Sequence, residues 1–185
     1  MAYSVLVTEQ QRNMLNEYAK GRNSSKHPSW TRRKSNVFSD QEADLQGLIG
    51  EFVVCNFFNV DFDRSIHSYG DSGHDLIVNG TRIGVKCNHR AGGFLMVEPD
   101  YRDKDGLLYN FKSDVMFLVC GTCDPLRKIC NCRNGGDLEW RIEGWITRED
   151  FMRKNHVKNL KLGDRHICTI QQLNHNLNRK KTVSV

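Results

Sequence analysis

The chain has 185 residues, of which 38% are hydrophobic and 26% are charged, and this composition fits a single globular domain with at most a small appendage. No run of about 18 apolar residues is present, and the first residues lack a secretory signal pattern, so we expect neither a spanning helix nor export. The formal net charge of +5 permits a nucleic-acid partner but does not demand one.

The chain begins with two predicted helices. Residues 8–20 place apolar side chains on one face, and Thr8 with Gln11 forms a capping box at their start. Residues 21–38 are polar and irregular in pattern. A second helix is predicted over residues 40–58, because Ser39 and Glu42 form another capping box and apolar residues follow at helical spacing.

From residue 74 the apolar pattern changes from helical spacing to alternation. Predicted strands are a hairpin over residues 74–87, then Phe94–Val97, Val115–Val119, Leu138–Ile146 and residues 167–170. Thr147 is the predicted cap of a further helix, and the polar stretch from about residue 174 is expected to be loose. This order predicts one α/β (α+β) domain with a mixed central sheet flanked by helices.

The predicted hairpin gives one polar and one apolar face. Asn79-Gly80 between alternating runs is a strong signal for a two-residue loop, which makes Val78 oppose Thr81 and Asp75 oppose Gly84. The polar face then holds Asp75, Ile77, Arg82, Gly84, Lys86 and Asn88, and the apolar face holds Leu76, Val78, Ile83, Val85 and Cys87. On this pattern alone, a solvated polar face is the simpler interpretation.

Glu51 is an acidic residue in the apolar stripe of the second helix. Its helical neighbours include Leu48, Cys55 and Phe58. A carboxylate among apolar side chains is costly unless a cation pairs with it, so a metal ion or a lysine is one explanation and a position at the solvated edge of the stripe is the other.

Three segments together resemble the PD-(D/E)XK nuclease superfamily. They are Gly47-Leu-Ile-Gly-Glu-Phe, Gly70-Asp-Ser-Gly-His-Asp-Leu-Ile-Val-Asn-Gly and Ile83-Gly-Val-Lys86, and the likeness is greatest to small phage or resolvase-like members. The resemblance covers residues 40–173. It implies a restriction-endonuclease-like fold and a metal-dependent endonuclease that hydrolyses DNA, with Mg²⁺ or Mn²⁺ as cofactor.

The resemblance also implies a role for each site residue. Asp75 and Glu51 would hold the Mg²⁺, and the carbonyl of Val85 would be a further ligand. Lys86 would assist the attacking water and offset charge in the transition state. Such chemistry needs a hard cation held by oxygen atoms. The implied partner is DNA, and a homodimer is allowed because many nucleases that cut both strands act as dimers.

Gly84 departs from the family pattern, which has Asp or Glu two residues before the lysine. Three outcomes remain open: another acid replaces it, metal binding is weakened, or the site is inactive. Asp71 and Glu98 are candidate substitutes, and Asn88 is a weaker, neutral one.

Four cysteines form a separate cluster between two predicted strands. Cys120, Cys123, Cys130 and Cys132 supply four thiols that could bind a structural zinc ion, although four reduced thiols in a surface hairpin explain the pattern as well. Cys55, Cys87 and Cys168 fall in apolar elements and are predicted to be core residues.

A basic segment precedes the second helix. It contains Arg22, Lys26, Trp30, Arg32, Arg33 and Lys34, which suit contacts with phosphates and stacking on an unpaired base, while a solvated loop is the plainer alternative. We therefore divide the chain into residues 1–39 with a helix and a basic loop, a nuclease-like core over 40–173 with a cysteine-rich insertion at 120–137, and a basic tail over 174–185.

Three hypotheses for function follow. The first is a Mg²⁺-dependent endodeoxyribonuclease in the cytoplasm, or in a host cytoplasm if the chain comes from a phage. The second is a nuclease-like fold that binds nucleic acid but has lost cleavage through Gly84. The third is a zinc-stabilised interaction module built on the cysteine cluster.

Overall fold

Eight strands and three helices make up the part of the chain that the computed structural model describes, which is residues 3–24, 39–63, 73–97, 111–123, 138–160 and 163–177. The helices are α1 (Glu9–Ser24), α2 (Asp40–Phe58) and α3 (Arg148–Lys154). The strands are β1 (Tyr3–Val7), β2 (Leu76–Val78), β3 (Thr81–Arg90), β4 (Leu95–Val97), β5 (Val115–Cys123), β6 (Leu138–Thr147), β7 (His156–Leu160) and β8 (Gly163–Cys168). A short 3₁₀ turn follows at Ile170–Gln172.

A five-stranded sheet with the order β1-β6-β5-β3-β2 lies at the centre of the fold. β3 and β5 run parallel, and the other neighbours run antiparallel, so the sheet is mixed. The continuous apolar run of β5 is buried on both faces, as expected for a central strand. β4, β8 and β7 form a second sheet of three strands.

Each face of the five-stranded sheet has its own hydrophobic core. On one face α1 and α2 pack against the sheet, with Leu15, Val53, Phe57 and Phe117 among the buried side chains. On the other face β4, β8 and α3 cover Met116, Leu118 and Cys120. The prediction of one α/β (α+β) domain with a mixed sheet flanked by helices is confirmed.

Local signals placed several element ends correctly. Thr8 and Gln11 exchange the hydrogen bonds of a capping box, and Ser39 and Glu42 do the same at the start of α2. Thr147 caps α3 by accepting a hydrogen bond from the amide of Asp150. These caps satisfy amide groups that the first helical turn leaves without partners.

Other predicted boundaries were wrong. α1 continues to Ser24, so residues 21–24 are helical and not irregular. β1 and β7 were not predicted, and β5 ends at Cys123, four residues beyond its predicted end. The stretch expected to be loose from residue 174 is anchored at its start, because Asn174 pairs with Trp145 of β6 and the Trp145 indole donates to the carbonyl of Asn176. Within the described residues, no helix is both long and apolar enough to cross a membrane.

Candidate functional site

The hairpin at the edge of the sheet has the predicted register. Val78 pairs with Thr81, and Ile77 pairs with Arg82. Asn79 and Gly80 have φ angles of 49° and 83°, which the two central positions of a type I′ turn require. The loop therefore fixes which residues of β3 lie opposite the segment that contains Asp75.

Asp75 is tied to β3 by both its main chain and its side chain. Its amide donates to the carbonyl of Ile83 at 2.8 Å, and its Oδ2 accepts from the amide of Val85 at 2.6 Å. The carbonyl of Arg82 instead faces β5, where it accepts from the amide of Asp114. Because alternate residues of a strand present their main-chain groups to opposite edges, the carbonyl of Val85 also faces the Asp75 edge.

Glu51 lies on α2 and is held by Arg22 of α1. The two guanidinium nitrogens Nη1 and Nη2 donate to Oε1 and Oε2 at 3.2 and 3.3 Å, which is a bidentate ion pair. The Glu51 side chain is 13% exposed and that of Arg22 is 32% exposed. The costly carboxylate in the apolar stripe thus has a cationic partner, and this partner is an arginine.

Cys55 lies one turn after Glu51 and has a thiol with a raised pKa. Burial, as the largest cause, and the negative charge of carboxylates together raise this pKa to about 12. In order of effect these carboxylates are Glu51, Asp63, Asp75 and Asp61. Four acidic side chains therefore lie close enough to one buried thiol to act on it electrostatically.

Asp61 and Asp63 were not among the residues singled out from the sequence. They follow α2 and are separated by Val60 from its cap residue Asn59, which has the left-handed φ of 56°. Both side chains are exposed. The available signal was the Asp61-Phe-Asp63 spacing, which puts two carboxylates on one side of an extended segment, directly after the helix that carries Glu51.

Lys86 is exposed and lies on the face of β3 opposite α2. Val85 and Cys87 on either side of it face α2, because a Cβ added to Gly50 would lie 3.1 Å from Val85 Cγ1 and 2.8 Å from Cys87 Cβ. Side chains alternate along a strand, so Lys86 points away from the helix. Glu51 and Lys86 thus belong to opposite sides of β3, and Asp75 lies at the edge between them.

The position of Gly84 is filled by a neighbouring residue. A Cβ added there would lie 2.7 Å from Ser113 Oγ and 3.4 Å from Met116 Cε. Ser113 is 1% exposed, and its hydroxyl has no hydrogen-bond partner within the described part of the chain. An acidic side chain at position 84 would require these neighbours to move.

The candidate substitutes for the missing acid have different outcomes. Asp71 and Glu98 lie outside the described residues. Asn88 accepts a hydrogen bond from the amide of Arg90, and its side chain packs against Gly93. Asn88 therefore serves a local turn at the end of β3.

The residues expected to be ligands offer oxygen atoms, which suit a hard cation. The carboxylates of Asp75 and Glu51 and the carbonyl of Val85 are oxygen donors, which Mg²⁺ and Mn²⁺ prefer. The described residues contain no group of three or more His, Cys, Asp or Glu side chains arranged to hold a metal ion. The chemistry of the donor set fits Mg²⁺, and a bound ion would compete with the Arg22 guanidinium for Glu51 or share Glu51 with it.

Within the cysteine cluster, only Cys120 has a described side chain. It is fully buried inside β5, and burial raises the pKa of its thiol to about 11. Zinc binds the thiolate form, so this environment favours a core role for Cys120. Cys130 and Cys132 lie outside the described residues, as does the side chain of Cys123. The predicted core positions of Cys55 and Cys168 are confirmed, and Cys87 packs against Gly50.

The basic segment is described only at its beginning. Arg22 lies in the last turn of α1. Lys26, Trp30, Arg32, Arg33 and Lys34 lie outside the described residues.

Comparison with known proteins gives no relative for this fold or site. No protein-family model, no curated protein and no solved structure matches the chain.

Proposed function

We propose that the protein is a metal-dependent endonuclease that hydrolyses DNA phosphodiester bonds at the edge of β3. The main support is the Asp75 carboxylate, which the amide of Val85 holds at that edge; Glu51, Asp63 and Asp61 join Asp75 in raising the pKa of the Cys55 thiol. The main chain of Val85 faces the same edge and already contacts Asp75. Oxygen donors and concentrated negative charge are what a divalent cation needs.

In this proposal each residue has a distinct role. Asp75 and Glu51, with the carbonyl of Val85, would hold Mg²⁺ or Mn²⁺. A bound ion supplies a Lewis acid for the phosphate and lowers the pKa of a water molecule. Lys86 is exposed on the opposite face of β3 from Glu51, and its ammonium group would offset the negative charge that develops on the phosphate. The amide of Val85 fixes the Asp75 carboxylate by donating to Oδ2.

Plasmid cleavage tests the proposal. Supercoiled plasmid is incubated with the protein in Mg²⁺, Mn²⁺ or EDTA, and nicked and linear products are measured. We expect metal-dependent nicking that Asp75→Asn and Lys86→Ala each reduce by at least about 100-fold, in line with the loss of a charged catalytic group. Asp150→Asn is the matched control, because Asp150 is an aspartate of α3 that pairs with Arg153. Equal cutting by wild type and Asp75→Asn would refute the site.

A nucleic-acid-binding protein without cleavage is the second candidate. The observation that favours it is Gly84, since Ser113 fills the space in which the family's acidic side chain would lie. This candidate predicts DNA binding that weakens with salt and survives both Asp75→Asn and Lys86→Ala. Filter binding at several salt concentrations, with no cutting in any metal, would favour it over the enzyme.

We extend the proposal to the compartment and the assembly. The free thiols Cys55, Cys87, Cys120 and Cys168 suit a reducing cytoplasm. Cleavage of both DNA strands would need two sites, which a homodimer supplies. Sedimentation of the protein with and without DNA measures this directly.

A further inference from the structure

The contact between Arg22 and Glu51 places a protein cation where the proposed function needs a metal ion. Both carboxylate oxygens of Glu51 accept from the guanidinium, at 3.2 and 3.3 Å. The carboxylate is 13% exposed, so it cannot be solvated fully by water and depends on a partner. A guanidinium matches a carboxylate with two parallel hydrogen bonds, which a lysine cannot do.

We infer that Arg22 and a divalent cation compete for Glu51, so that Arg22 sets the metal concentration at which the site fills. This inference rests on the proposed function. A cation bound to Glu51 would lie beside the positive Arg22 guanidinium, and the two cations would repel each other or share the carboxylate. The apparent metal affinity is therefore lower than it would be without Arg22.

The place of Arg22 in the fold makes such an exchange feasible. It lies in the last turn of α1, two residues before the helix ends at Ser24, and its side chain is 32% exposed. A released guanidinium can therefore reach water without unfolding the helix. The main chain at Glu51 is held closely, because its neighbour Gly50 packs on Val85 and Cys87 of β3.

Metal affinity measured by calorimetry tests the inference, with Mg²⁺ and Mn²⁺ alone as probes. We expect Arg22→Gln to bind the ion on the order of tenfold more tightly than wild type, which corresponds to about 1.4 kcal/mol. Without metal, Arg22→Gln should melt at a lower temperature than wild type, and saturating metal should close that gap. Lys20→Gln is the matched control, since it removes one positive charge from the same helix at an exposed pair with Glu17.

If Arg22 has a purely structural role, Arg22→Gln should lower the metal affinity instead of raising it, because a loosened site binds metal more weakly. Equal or weaker metal binding by Arg22→Gln, in a wild type that does bind and cut, would overturn the inference and leave the proposed function standing. If neither wild type nor Arg22→Gln binds metal, both the inference and the proposed function are refuted. Arg22→Lys keeps the positive charge but cannot make the two parallel hydrogen bonds to Glu51, so we expect its metal affinity to lie between those of wild type and Arg22→Gln. This variant replaces Arg22→Gln in the test if Arg22→Gln does not fold.

Discussion

The carboxylate of Asp75 accepts a hydrogen bond from the main-chain amide of Val85 at 2.6 Å. This contact continues the β2–β3 ladder one step beyond Leu76, where the last regular pair is Leu76 with Ile83. A side chain thus replaces a main-chain acceptor at the open end of the hairpin. The same residue that the proposed chemistry needs as a ligand also closes the edge of the sheet.

The stability of Asp75 variants should separate these two roles. Asp75→Asn keeps a side-chain oxygen for the Val85 amide, so its free energy of unfolding should stay within about 0.5 kcal/mol of wild type. Asp75→Ala leaves the amide without that acceptor and should cost about 1–2 kcal/mol. Urea unfolding at pH 7 measures both. Equal stability of the Ala and Asn variants would show that the hydrogen bond contributes little, whatever their activity.

The second prediction concerns Ser113, whose hydroxyl is buried beside Gly84 and has no hydrogen-bond partner among the residues that the structure describes. Ser113→Ala removes a polar group that lost its water on folding, so it should stabilise the protein by about 1 kcal/mol. Thermal or urea unfolding of the variant against wild type is the measurement. A clear loss of stability would mean that the hydroxyl has a favourable contact in solution.

A third prediction follows for Gly84 itself. Gly84→Ala introduces a Cβ at 2.7 Å from Ser113 Oγ, and the overlap should cost about 1–3 kcal/mol. The cost should fall in the Ser113→Ala background, where a contact of 3.3 Å to Ser113 Cβ remains. A double-mutant cycle gives the coupling energy between the two positions. If the stability effects of Gly84→Ala and Ser113→Ala are additive, the two positions are not in contact. The same cycle shows whether position 84 can accept a Cβ once the Ser113 hydroxyl is removed.

Short-range signals predicted much of the fold. The Asn79-Gly80 loop gave the hairpin register, and the Ser39–Glu42 capping box gave the start of α2, because each depends on residues within a few positions of one another. β1 was missed because its partner β6 lies more than 130 residues away, so nothing nearby marks it as a strand. Such pairings are decided by tertiary packing, which overrides local preference.

In the candidate site, too, local contacts were predictable from the sequence and contacts between distant residues were not. The relation of Asp75 to Val85 follows from the hairpin and was within reach of the sequence. The Arg22–Glu51 pair joins residues 29 apart on two helices, and no local spacing predicts it. Cys120 was grouped with a loop because the apolar run ends at Val119, whereas pairing with β3 and β6 carries β5 to Cys123.

Arg82 and Asp114 give a prediction about pH. Asp114 accepts from the Arg82 amide at 2.9 Å and from its Nη2 at 2.6 Å, and these hydrogen bonds lower the pKa of the carboxyl below its usual value. A lowered folded-state pKa means that the contribution is present above the unfolded pKa of about 3.9 and is lost as the pH falls through the folded pKa. Both side chains are more than a third exposed, so solvent screens the pair and the contribution should be small.

The matched variant for this pair is Asp114→Asn. We expect it to be less stable than wild type at pH 7, and we expect the difference to shrink steadily below about pH 4. Adding salt should reduce the difference at pH 7, because the pair is exposed to solvent. A difference that is the same at pH 7 and pH 2.5 would assign the effect to packing or to the neutral hydrogen bond.

Cys120 allows the zinc hypothesis to be tested against a core role. Because burial raises the pKa of its thiol to about 11, Cys120 should not react with a thiol reagent in the folded protein at pH 8. Replacing it in Cys120→Ala should leave the number of thiols that react in the folded protein unchanged and lower the number in denaturant by one. The substitution should also cost about 1–2 kcal/mol, since it removes a buried sulfur from the core that contains Leu118 and Phe151. A structural zinc ligand would behave differently: EDTA would raise the number of reactive thiols in wild type, and bound zinc measured by mass spectrometry would disappear in Cys120→Ala.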